Sequence, residues 1–451
     1  MDTHSDITLS RRHLLQAGMA GGISLMMGSP DWVASPTGAA SMADVPFARH
    51  DKVRMAFIGV GGRGMSLLRD CLAVPNVEVV AVCDIVSERV KAAQKRVVDA
   101  GQAEPKGFDE HDRHYEDLCK LQGIDLIYIA TPWDWHVPMA VAAMEAGKHV
   151  GLEVPAATTI DDCWKLVDTS ERTRKHCVIL ENCCYGWSEM LVLNMVRQGA
   201  LGELTHGEAA YIHDLRSLLL EDHGEGLWRR KPHTEIDGNL YPTHGLGPVA
   251  NYMDVNRGDL FAYMVSMSSH EKNLTHHRDK TIPDGHHKRE EKYVCGDMNT
   301  SLIKTANGRS IMLQHDVVSP RPYDRINLIS GTKGTFRDYP ARIYIEGETP
   351  NHNWEDLDRY REKFEHPLWS KQGELARRMG GHGGMDYIMS FRLIQCMLEG
   401  LPPDMDVYDA AAWSAPFPLS VESVAKGSAP VAFPDFTRGR WKQPRVRPYE
   451  V

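Results

Sequence analysis

The sequence predicts an α/β protein in which an N-terminal doubly wound parallel sheet is followed by a C-terminal α+β domain with an open, largely antiparallel sheet. Two observations predict this order. From about residue 53 to residue 181, short apolar runs alternate with segments of helical periodicity, which is typical of parallel strands joined by helices. Beyond about residue 200, strand-like runs follow one another, and Asn307-Gly308 lies between two of them as a hairpin turn signal.

The N-terminal elements are predicted from apolar runs and their spacing. Mostly apolar runs indicate buried strands at residues 53–59, 77–83, 125–130, 149–153 and 178–181. Helical periodicity indicates helices at residues 61–73, 87–100 and 137–146. Ser87 is a candidate N-cap, and Gly147 is expected to end the helix before it.

The C-terminal region is expected to contain strands at residues 204–213, 301–305, 310–314, 325–329 and 335–338. Gly331 and Gly334 indicate a turn before the last of these strands, and residues 385–399 have the pattern of a helix. The segment 271–292 is rich in His and charge, so we expect a loop there.

Composition excludes some classes of function. The 451 residues are 42% hydrophobic and 25% charged, an ordinary globular mix, and the net charge is −10. A nucleic-acid or anionic-membrane surface needs a basic face, so neither partner is expected. The nine cysteines include no CxxC pair and several lie in apolar runs, so buried reduced thiols are expected. The pairs His276-His277 and His286-His287 lack ligands at metal-site spacing, so no metal is predicted.

Residues 1–43 have the pattern of an export signal. Arg11-Arg12 is followed by a short apolar, Gly-containing stretch, and Ser41-Met42-Ala43 is a plausible cleavage site. We therefore expect export by the twin-arginine machinery to the periplasm or cell envelope. No later stretch reaches ~18 unbroken apolar residues, so no transmembrane helix is expected. After a linker at 44–51, the predicted regions are a dinucleotide-binding domain at 52–177, a substrate-binding and oligomerisation domain at 178–430, and a tail at 431–451.

A dinucleotide-binding fingerprint lies in the first strand–turn–helix unit. Gly59, Gly61 and Gly64 match G-x-G-x-x-G after a predicted strand and at the start of a helix, and Asp84 ends the next strand twenty residues later. In this fingerprint, the second glycine lets the backbone approach a pyrophosphate, and the helix N-terminus attracts its charge. An acidic residue at position 84 binds ribose hydroxyls and repels a 2′-phosphate. The pattern predicts a Rossmann domain that binds NAD.

Two further segments are expected at the same sheet edge. Trp133-Asp134-Trp135-His136 follows the strand that ends near Ala130, and Glu153-Val154-Pro155 follows the next strand. Loops at the carboxyl ends of parallel strands meet at the cofactor crevice. We therefore expect these residues beside the nicotinamide.

A dinucleotide domain followed by an open sheet resembles the Gfo/Idh/MocA oxidoreductases. Members of that superfamily typically carry Glu-Lys-Pro where this chain has Glu153-Val154-Pro155, and often an Asp four residues before a His, where this chain has Leu240 before His244. Both departures count against a simple sugar dehydrogenase.

Both departures are shared with glycoside hydrolase family 109, which this chain resembles. Its motifs resemble Glu153-Val154-Pro155-Ala156-Ala157, Glu181-Asn182-Cys183-Cys184-Tyr185 and Tyr241-Pro242-Thr243-His244-Gly245. The resemblance implies NAD contacts by Gly62, Arg63, Asp84, Trp133, His136, Glu153, Val154 and Asn182, to which we add the fingerprint glycines, Asp134 and Trp135. It implies sugar contacts by Tyr211, Arg230, Tyr241, His244 and Tyr323, and Pro242 and Thr243 belong to the same segment.

The resemblance also implies an activity: hydrolysis of terminal α-N-acetylgalactosamine with tightly held, recycled NAD. Oxidation at C3 would acidify the C2 proton, elimination would release the C1 substituent, and water addition and re-reduction would follow. Histidine titrates near neutral pH, so we expect His244 to be a base, with Tyr241 or Tyr185 as its partner. His382 and Asp386 are further candidates for the site. Recycling suits an exported enzyme, since no fresh NAD would be needed.

Simpler interpretations remain for several residues. Tyr185 and Tyr211 could be core aromatics, Arg230 part of a solvated basic patch, and His244 a helix-end residue. Two other functions also remain: an NAD-dependent sugar or cyclitol dehydrogenase, and a non-catalytic sugar- or dinucleotide-binding protein. A homo-oligomer through the open sheet is expected.

Overall fold

The first sheet contains six parallel strands. The computed structural model describes residues 40–350, 352–446 and 448–449. The strands are β1 (Val53–Ile58), β2 (Val77–Cys83), β3 (Lys106–Phe108), β4 (Leu126–Ile129), β5 (His149–Leu152) and β6 (Cys177–Ile179). Their order is β3-β2-β1-β4-β5-β6, and every neighbouring pair is parallel. The order reverses between β1 and β4, where a cofactor crevice opens at the strands' carboxyl ends. The predicted doubly wound sheet is confirmed.

Helices cover this sheet: α1 (Gly62–Leu72), α2 (Ser87–Asp99), α3 (Tyr115–Lys120), α4 (Trp133–Glu145) and α5 (Ile160–Thr173). Two predictions about them are wrong. The N-cap of α2 is Val86, so Ser87 is already inside the helix and makes no side-chain cap bond. Helix α4 starts at Trp133 instead of residue 137, because burial of Trp133 and His136 outweighs the hydrogen bond lost at Pro138.

The second sheet is mixed and mostly antiparallel. Its strands are β7 (Leu204–Ile212), β8 (Phe261–Ser268), β9 (Asn299–Thr305), β10 (Ser310–Asp316), β11 (Leu328–Gly331), β12 (Gly334–Arg337), β13 (Arg342–Ile345), β14 (Glu355–Asp356) and β15 (Val431–Ala432). The order is β14-β13-β12-β11-β7-β10-β9-β8-β15, and β7 pairs with β10 in parallel. The strand predicted from residue 325 begins only at Leu328, because Ile326 and Asn327 have φ of 61° and 45°.

The remaining helices follow β6 along the chain. They are α6 (Trp187–Arg197), α7 (Arg216–Leu219), α8 (Gly226–Arg229), α9 (Lys231–Glu235), α10 (Thr243–Tyr252), α11 (Asn273–Thr281), α12 (Arg361–Phe364), α13 (Pro367–Met379), α14 (Met385–Glu399), α15 (Val407–Ser414) and α16 (Pro416–Ala425). The loop predicted at 271–292 is wrong, since it contains α11 and a 3-10 turn at His287–Glu290. Side chains satisfy the first N–H groups of α11: Asp297 accepts from Asn273, and Glu271 accepts from Thr275.

Chain segments expected as linker and tail are integrated into the fold. Phe47 is 3% exposed, and Met42 donates its N–H to the Tyr408 hydroxyl over 2.9 Å. In the tail, β15 extends the second sheet and Tyr449 is buried. The boundary predicted after residue 177 falls inside β6. All nine cysteines are buried and free, as expected. Among the described residues, no helix has both the length and the apolarity of a membrane span.

Buried histidines make the stability of the fold dependent on pH. The rings of His149 and His176 stack with centroids 5.3 Å apart beside Phe47. Burial lowers the pKa of His176 to about 4. The unfolded chain binds this proton below about pH 6.5, whereas the folded chain does so only below about pH 4. The free energy of unfolding therefore falls as the pH drops from about 6.5 to 4.

We expect His176→Gln to flatten this loss of stability. The full contribution of His176 at pH 4 is about 3 kcal/mol, since one pKa unit corresponds to about 1.4 kcal/mol. Urea unfolding at pH 7 and pH 5 measures the effect, with the exposed His223→Gln as control. An unchanged pH slope in His176→Gln would mean that His176 is not held neutral by burial.

Candidate active site

The glycine-rich loop between β1 and α1 has the geometry of a pyrophosphate site. A Cβ on Gly64 would lie 1.8 Å from the Gly59 carbonyl oxygen, so only glycine lets α1 approach the strand this closely. A Cβ on Gly62 would meet nothing within 4 Å, so the loop backbone faces open space. Gly61 is the N-cap of α1 and provides no side-chain acceptor, which leaves the first helical N–H groups for a ligand. These residues fit NAD.

Asp84 lies where an acidic residue can select the ribose. It ends β2, is 7% exposed, and accepts the N–H groups of Val60 and Val86, each over 3.0 Å. Arg89 lies 3.5 Å from its carboxylate. The carboxylate is thus fixed beside the glycine-rich loop, where it can accept hydrogen bonds from ribose hydroxyls.

We expect Asp84→Asn to lower the preference for NAD over NADP by about tenfold, which corresponds to about 1.4 kcal/mol. The change removes the charge that repels a 2′-phosphate, and the Arg89 cation then becomes available to it. Calorimetric titration of cofactor-free protein with both dinucleotides measures this, with the exposed Asp99→Asn as control. An unchanged preference would show that Asp84 does not read the 2′ position.

The first turn of α4 lies at the same sheet edge. Both ring nitrogens of His136 lie 2.8 Å from backbone oxygens, those of Thr131 and Pro155, so the side chain joins the loops after β4 and β5. Burial lowers its pKa. Any NAD contact of this segment therefore involves its backbone and other side chains. Trp133 is buried, whereas Asp134 is exposed. The Trp135 ring packs elsewhere, with its centroid 6.3 Å from that of Tyr115.

An ion-pair network joins the glycine-rich loop to α14. Arg63 donates to Glu153 and to Asp386, each over 2.7 Å. Asp386 also accepts from Asn182 over 2.6 Å, and His382 lies 2.9 Å from it. Burial alone would raise the pKa of Asp386, but the charge of Arg63 and the hydrogen bond of His382 hold it well below its usual range. The network brings residues expected at NAD together with both further candidates for the site.

The rings of Trp133, Tyr211 and Tyr241 form an aromatic cage next to the carboxyl edge of the first sheet. The Tyr241 ring centroid lies 5.9 Å from that of Trp133 and 4.6 Å from that of Tyr211. The Arg229 guanidinium lies 4.7 Å from the Tyr241 ring and donates to Glu225 over 2.6 Å. Its second terminal nitrogen, Nη2, is buried without a hydrogen-bond partner among the described residues. A buried cation with a free donor is suited to binding a polar group of a ligand.

His244 stands beside the cage in the first turn of α10. Its ring lies 4.9 Å from Tyr241 and 5.5 Å from Tyr211. Its Nδ1 lies 2.8 Å from Oε1 of the buried Glu181. A Cβ on Gly245 would lie 2.4 Å from the backbone of β7, so this glycine lets α10 approach the strand that carries Tyr211. The imidazole remains 14% exposed, which allows contact with a ligand.

The remaining residues expected at the sugar are close to the cage. The Tyr323 ring is 6.2 Å from Tyr211, and Tyr323 is 37% exposed, so it lies at the outer side. Pro242 and Thr243 are buried at the start of α10 and position the two residues that flank them.

The structure places Arg229, not Arg230, in the cage. Arg230 donates to the backbone oxygens of Leu219 and Gly226, over 2.8 and 3.1 Å, and pairs with Glu291 over 3.0 Å. Its guanidinium thus holds the helices α7 to α9 together. The sequence alone could not separate two adjacent arginines, because the local helix phase decides which one turns inward.

Tyr185 lies outside the cage. Its hydroxyl donates to Asp404 over 3.2 Å, and its ring packs against Tyr449 at 5.1 Å. Asp404 in turn binds Arg392. The partner expected for His244 is therefore Tyr241, and Tyr185 has the core role that the sequence left open.

Glu181, Cys183 and His244 each offer one atom within a 4.8 Å cluster of the kind that can bind a metal. The cluster already has a cation, since Arg325 Nη1 lies 2.6 Å from the Cys183 sulfur. Burial raises the pKa of Cys183 well above its ordinary value, so the thiol is protonated, whereas a metal needs the thiolate. The groups do not favour a metal.

Glu181 and Arg229 are residues of the site that the sequence analysis did not assign. Glu181 follows β6 as Glu153 follows β5, so its position at the end of a parallel strand was an available signal. Val154, at the position of the superfamily lysine, is 3% exposed and offers no proton-transfer group.

Comparison with protein families agrees with this two-part architecture. Residues 53–181 match the model described as "Oxidoreductase family, NAD-binding Rossmann fold", and residues 185–443 match "Glycosyl hydrolase 109, C-terminal domain". The junction between the two matches follows β6.

Solved structures share the fold. A levoglucosan dehydrogenase in complex with NADH and L-sorbose has a TM-score of 0.66 at 19% identity, covering 85% of this chain and 100% of that one. An inositol dehydrogenase homolog from Azotobacter vinelandii, complexed with NAD+, has a TM-score of 0.62 at 17% identity, covering 86% and 99%. Together with the glycine-rich loop, these results define an NAD-binding protein with a Gfo/Idh/MocA dehydrogenase fold.

Curated relatives are much more similar in sequence. A glycosyl hydrolase family 109 protein of Solibacter usitatus is 57% identical over 439 residues, covering 96% of this chain and 98% of that protein. One from Saccharopolyspora erythraea is 50% identical, covering 96% and 95%. The chain belongs to glycosyl hydrolase family 109.

Proposed function

We propose that the protein hydrolyses terminal α-N-acetylgalactosaminides with an NAD that is recycled in every turnover. One observation carries this proposal: Trp133, the first residue of α4, packs against Tyr241, so the cage beside His244 adjoins the edge of the NAD-binding sheet. A sugar in the cage would lie next to a bound nicotinamide.

The buried carboxylates near the cage do not favour direct displacement. Glycosidases of that kind use one carboxylic acid and one free carboxylate on either side of the scissile bond. Here Glu153 is bound to Arg63, and Glu181 to His244. Asp386 accepts from Arg63 and Asn182. Among the described residues of the site, each of these carboxylates is therefore bound to another side chain. None of them is free to serve as a carboxylate of direct displacement, so hydrolysis needs another route.

NAD, when bound, supplies a reversible two-electron oxidation at C3 of the sugar. His244 accepts and returns a proton at the sugar through Nε2, within reach of the cage. Burial raises the pKa of Tyr241 well above its ordinary value, although Arg229 opposes this, so Tyr241 acts as a hydrogen-bond donor. Arg229 holds a polar substituent of the sugar, and the aromatic rings line the sugar site.

The proposed reaction balances as a hydrolysis. A carbonyl at C3 acidifies the C2 proton, and removal of that proton lets the C1 substituent leave with its electron pair. Water then adds at C1, a proton returns to C2, and C3 is reduced again. One water is consumed, one sugar and one alcohol are released, and there is no net redox change.

A net sugar or cyclitol dehydrogenase is the second candidate, and the fold shared with levoglucosan and inositol dehydrogenases favours it. The buried Val154 in place of a lysine counts against it.

Solvent deuterium distinguishes elimination from direct displacement. Turnover of an aryl α-N-acetylgalactosaminide in D2O is expected to place deuterium at C2 of the released sugar, because the C2 proton is exchanged during each cycle. Product sugar incubated with the protein for the same time controls for exchange after release. A product without deuterium at C2 would contradict the elimination.

We further propose export through the twin-arginine pathway. The leader lies almost wholly outside the described residues, but residues 41–43 bear on where it could be cleaved. Ser41 and Met42 both contact the Tyr408 hydroxyl, and Met42 is 1% exposed. Cleavage before Ser41 keeps these contacts, whereas cleavage after Ala43 removes them. N-terminal sequencing of the periplasmic protein tests both points.

We also propose a homo-oligomer through the open sheet. Met267 on β8 and Leu302 on β9 are 63% and 58% exposed on this face. Sedimentation of the wild type and of Leu302→Glu tests the proposal, and a monomeric wild type contradicts it.

A further inference from the structure

Glu181 is a buried carboxylate directly behind His244. It is 0% exposed and follows β6 as the N-cap of the 3-10 turn at Asn182–Tyr185. Its Oε1 accepts the N–H of Cys183 over 3.1 Å and lies 2.8 Å from His244 Nδ1. Oε1 is therefore held by the backbone N–H of Cys183 on one side and contacts the imidazole on the other.

An ionised carboxylate can only accept hydrogen bonds. Burial alone would raise the pKa of Glu181, but the charge and hydrogen bond of His244 and the Cys183 N–H bring it below its ordinary value. His244 Nδ1 must then carry the proton in the short contact with Oε1. In a neutral imidazole this leaves the lone pair on Nε2.

We propose that Glu181 is the positioning residue that fixes His244 as the Nδ1–H tautomer, so that Nε2 faces the sugar as the base. The proposal rests on the proposed function, since it assigns the proton acceptor of that reaction. When Nε2 takes a proton from the sugar, the imidazolium lies against the Glu181 carboxylate, which stabilises the charge without taking the proton. A proton returns to the sugar from Nε2 later in the cycle, after that position has exchanged with solvent.

The surroundings hold Glu181 in place. A Cβ on Gly247 in α10 would lie 3.0 Å from the Glu181 side chain, so the helix that carries His244 packs directly on it. Arg325, next to Cys183, pairs with Glu189 and not with Glu181. His244 is thus the ionisable side chain that Glu181 bonds in the described structure, and no nearer cation competes for its Oε1.

The test uses the full mature chain carrying its NAD, with ¹⁵N-labelled histidine. The His244 resonances are assigned by their loss in His244→Ala. In the resting wild type without sugar, we expect a protonated Nδ1 and an unprotonated Nε2. In Glu181→Gln, the side chain loses the charge that holds the proton on Nδ1, and its amide donates to Nδ1 in one of its two orientations, so we expect part of the proton to move to Nε2. We expect kcat to fall about 100-fold or more, with KM changed less than threefold, as is typical when a tautomer is wrongly set.

Glu171→Gln is the matched control. Glu171 is another buried carboxylate, and it binds Tyr408 and Arg438 away from the cage. We expect its variant to keep the His244 tautomer. In the double variant with Glu181→Gln and His244→Ala, we expect the same kcat as in His244→Ala alone, since both changes act through the His244 imidazole.

Two outcomes would overturn the proposal. One is a wild-type His244 with its proton on Nε2, measured in a protein that keeps Glu181 intact. The other is a Glu181→Gln protein that keeps both the tautomer and kcat. Because the spectra are recorded without sugar, a protein that cleaves no glycoside would contradict the proposed function while the tautomer still decides the role of Glu181.

Discussion

His244→Ala is expected to lower kcat by about 10³-fold while leaving the bound NAD in place. The imidazole contacts the cage rings of Tyr241 and Tyr211, whereas the glycine-rich loop that holds NAD lies in another part of the site. Loss of a positioned acid–base group typically costs 10²- to 10⁴-fold. Steady-state kinetics on an aryl α-N-acetylgalactosaminide, with NAD content measured after denaturation, checks both parts.

The control for this variant is His206→Ala. His206 lies on β7, the strand that carries Tyr211, but it bonds Ser310 and is part-exposed. It should retain full activity. Full turnover by His244→Ala would remove His244 from the chemistry, and loss of NAD from that variant would indicate a structural role instead.

Arg229→Met is expected to lower kcat/KM roughly 10- to 150-fold, with little loss of stability. Its buried Nη2 has no partner among the described residues and lies among aromatic rings, so it can donate to a polar group of the proposed sugar substrate. A hydrogen bond to a charged group contributes about 1.5–3 kcal/mol, which corresponds to that range.

Arg230→Met is the neighbouring comparison. Its guanidinium holds backbone oxygens and Glu291, so we expect a lower melting temperature with nearly unchanged kcat/KM at 25 °C. The reverse result, with activity lost in Arg230→Met and kept in Arg229→Met, would restore the assignment made from sequence and contradict the place of Arg229 in the cage.

The sequence predicted the parts of the site that short-range patterns encode. A dinucleotide-binding loop needs its glycines directly after a strand, as at Gly59, Gly61 and Gly64. It also needs an acidic residue at the end of the next strand, as at Asp84. Their spacing in the sequence was therefore sufficient to predict the cofactor site. The hairpin at Asn307-Gly308 was equally local, and β9 and β10 pair there as expected.

Long-range packing decided the rest. Nothing local shows that Tyr185 meets Asp404, or that Arg63 meets Asp386 across 323 positions. The helix at Asn273–Thr281 is polar and gave no periodic signal; its N–H groups are satisfied by Asp297, whose position depends on the tertiary fold. The charge and burial of the side chains at the cage could therefore be determined only from the structure.

The most direct test of the account follows two signals from purified mature protein without added cofactor. An aryl α-N-acetylgalactosaminide is supplied, and phenol release and nicotinamide absorbance are recorded together. We expect many turnovers of phenol with no net NADH, because each oxidation at C3 is reversed before release. NADH that rises only with added NAD, and without phenol, would show a net dehydrogenase and contradict the central claim.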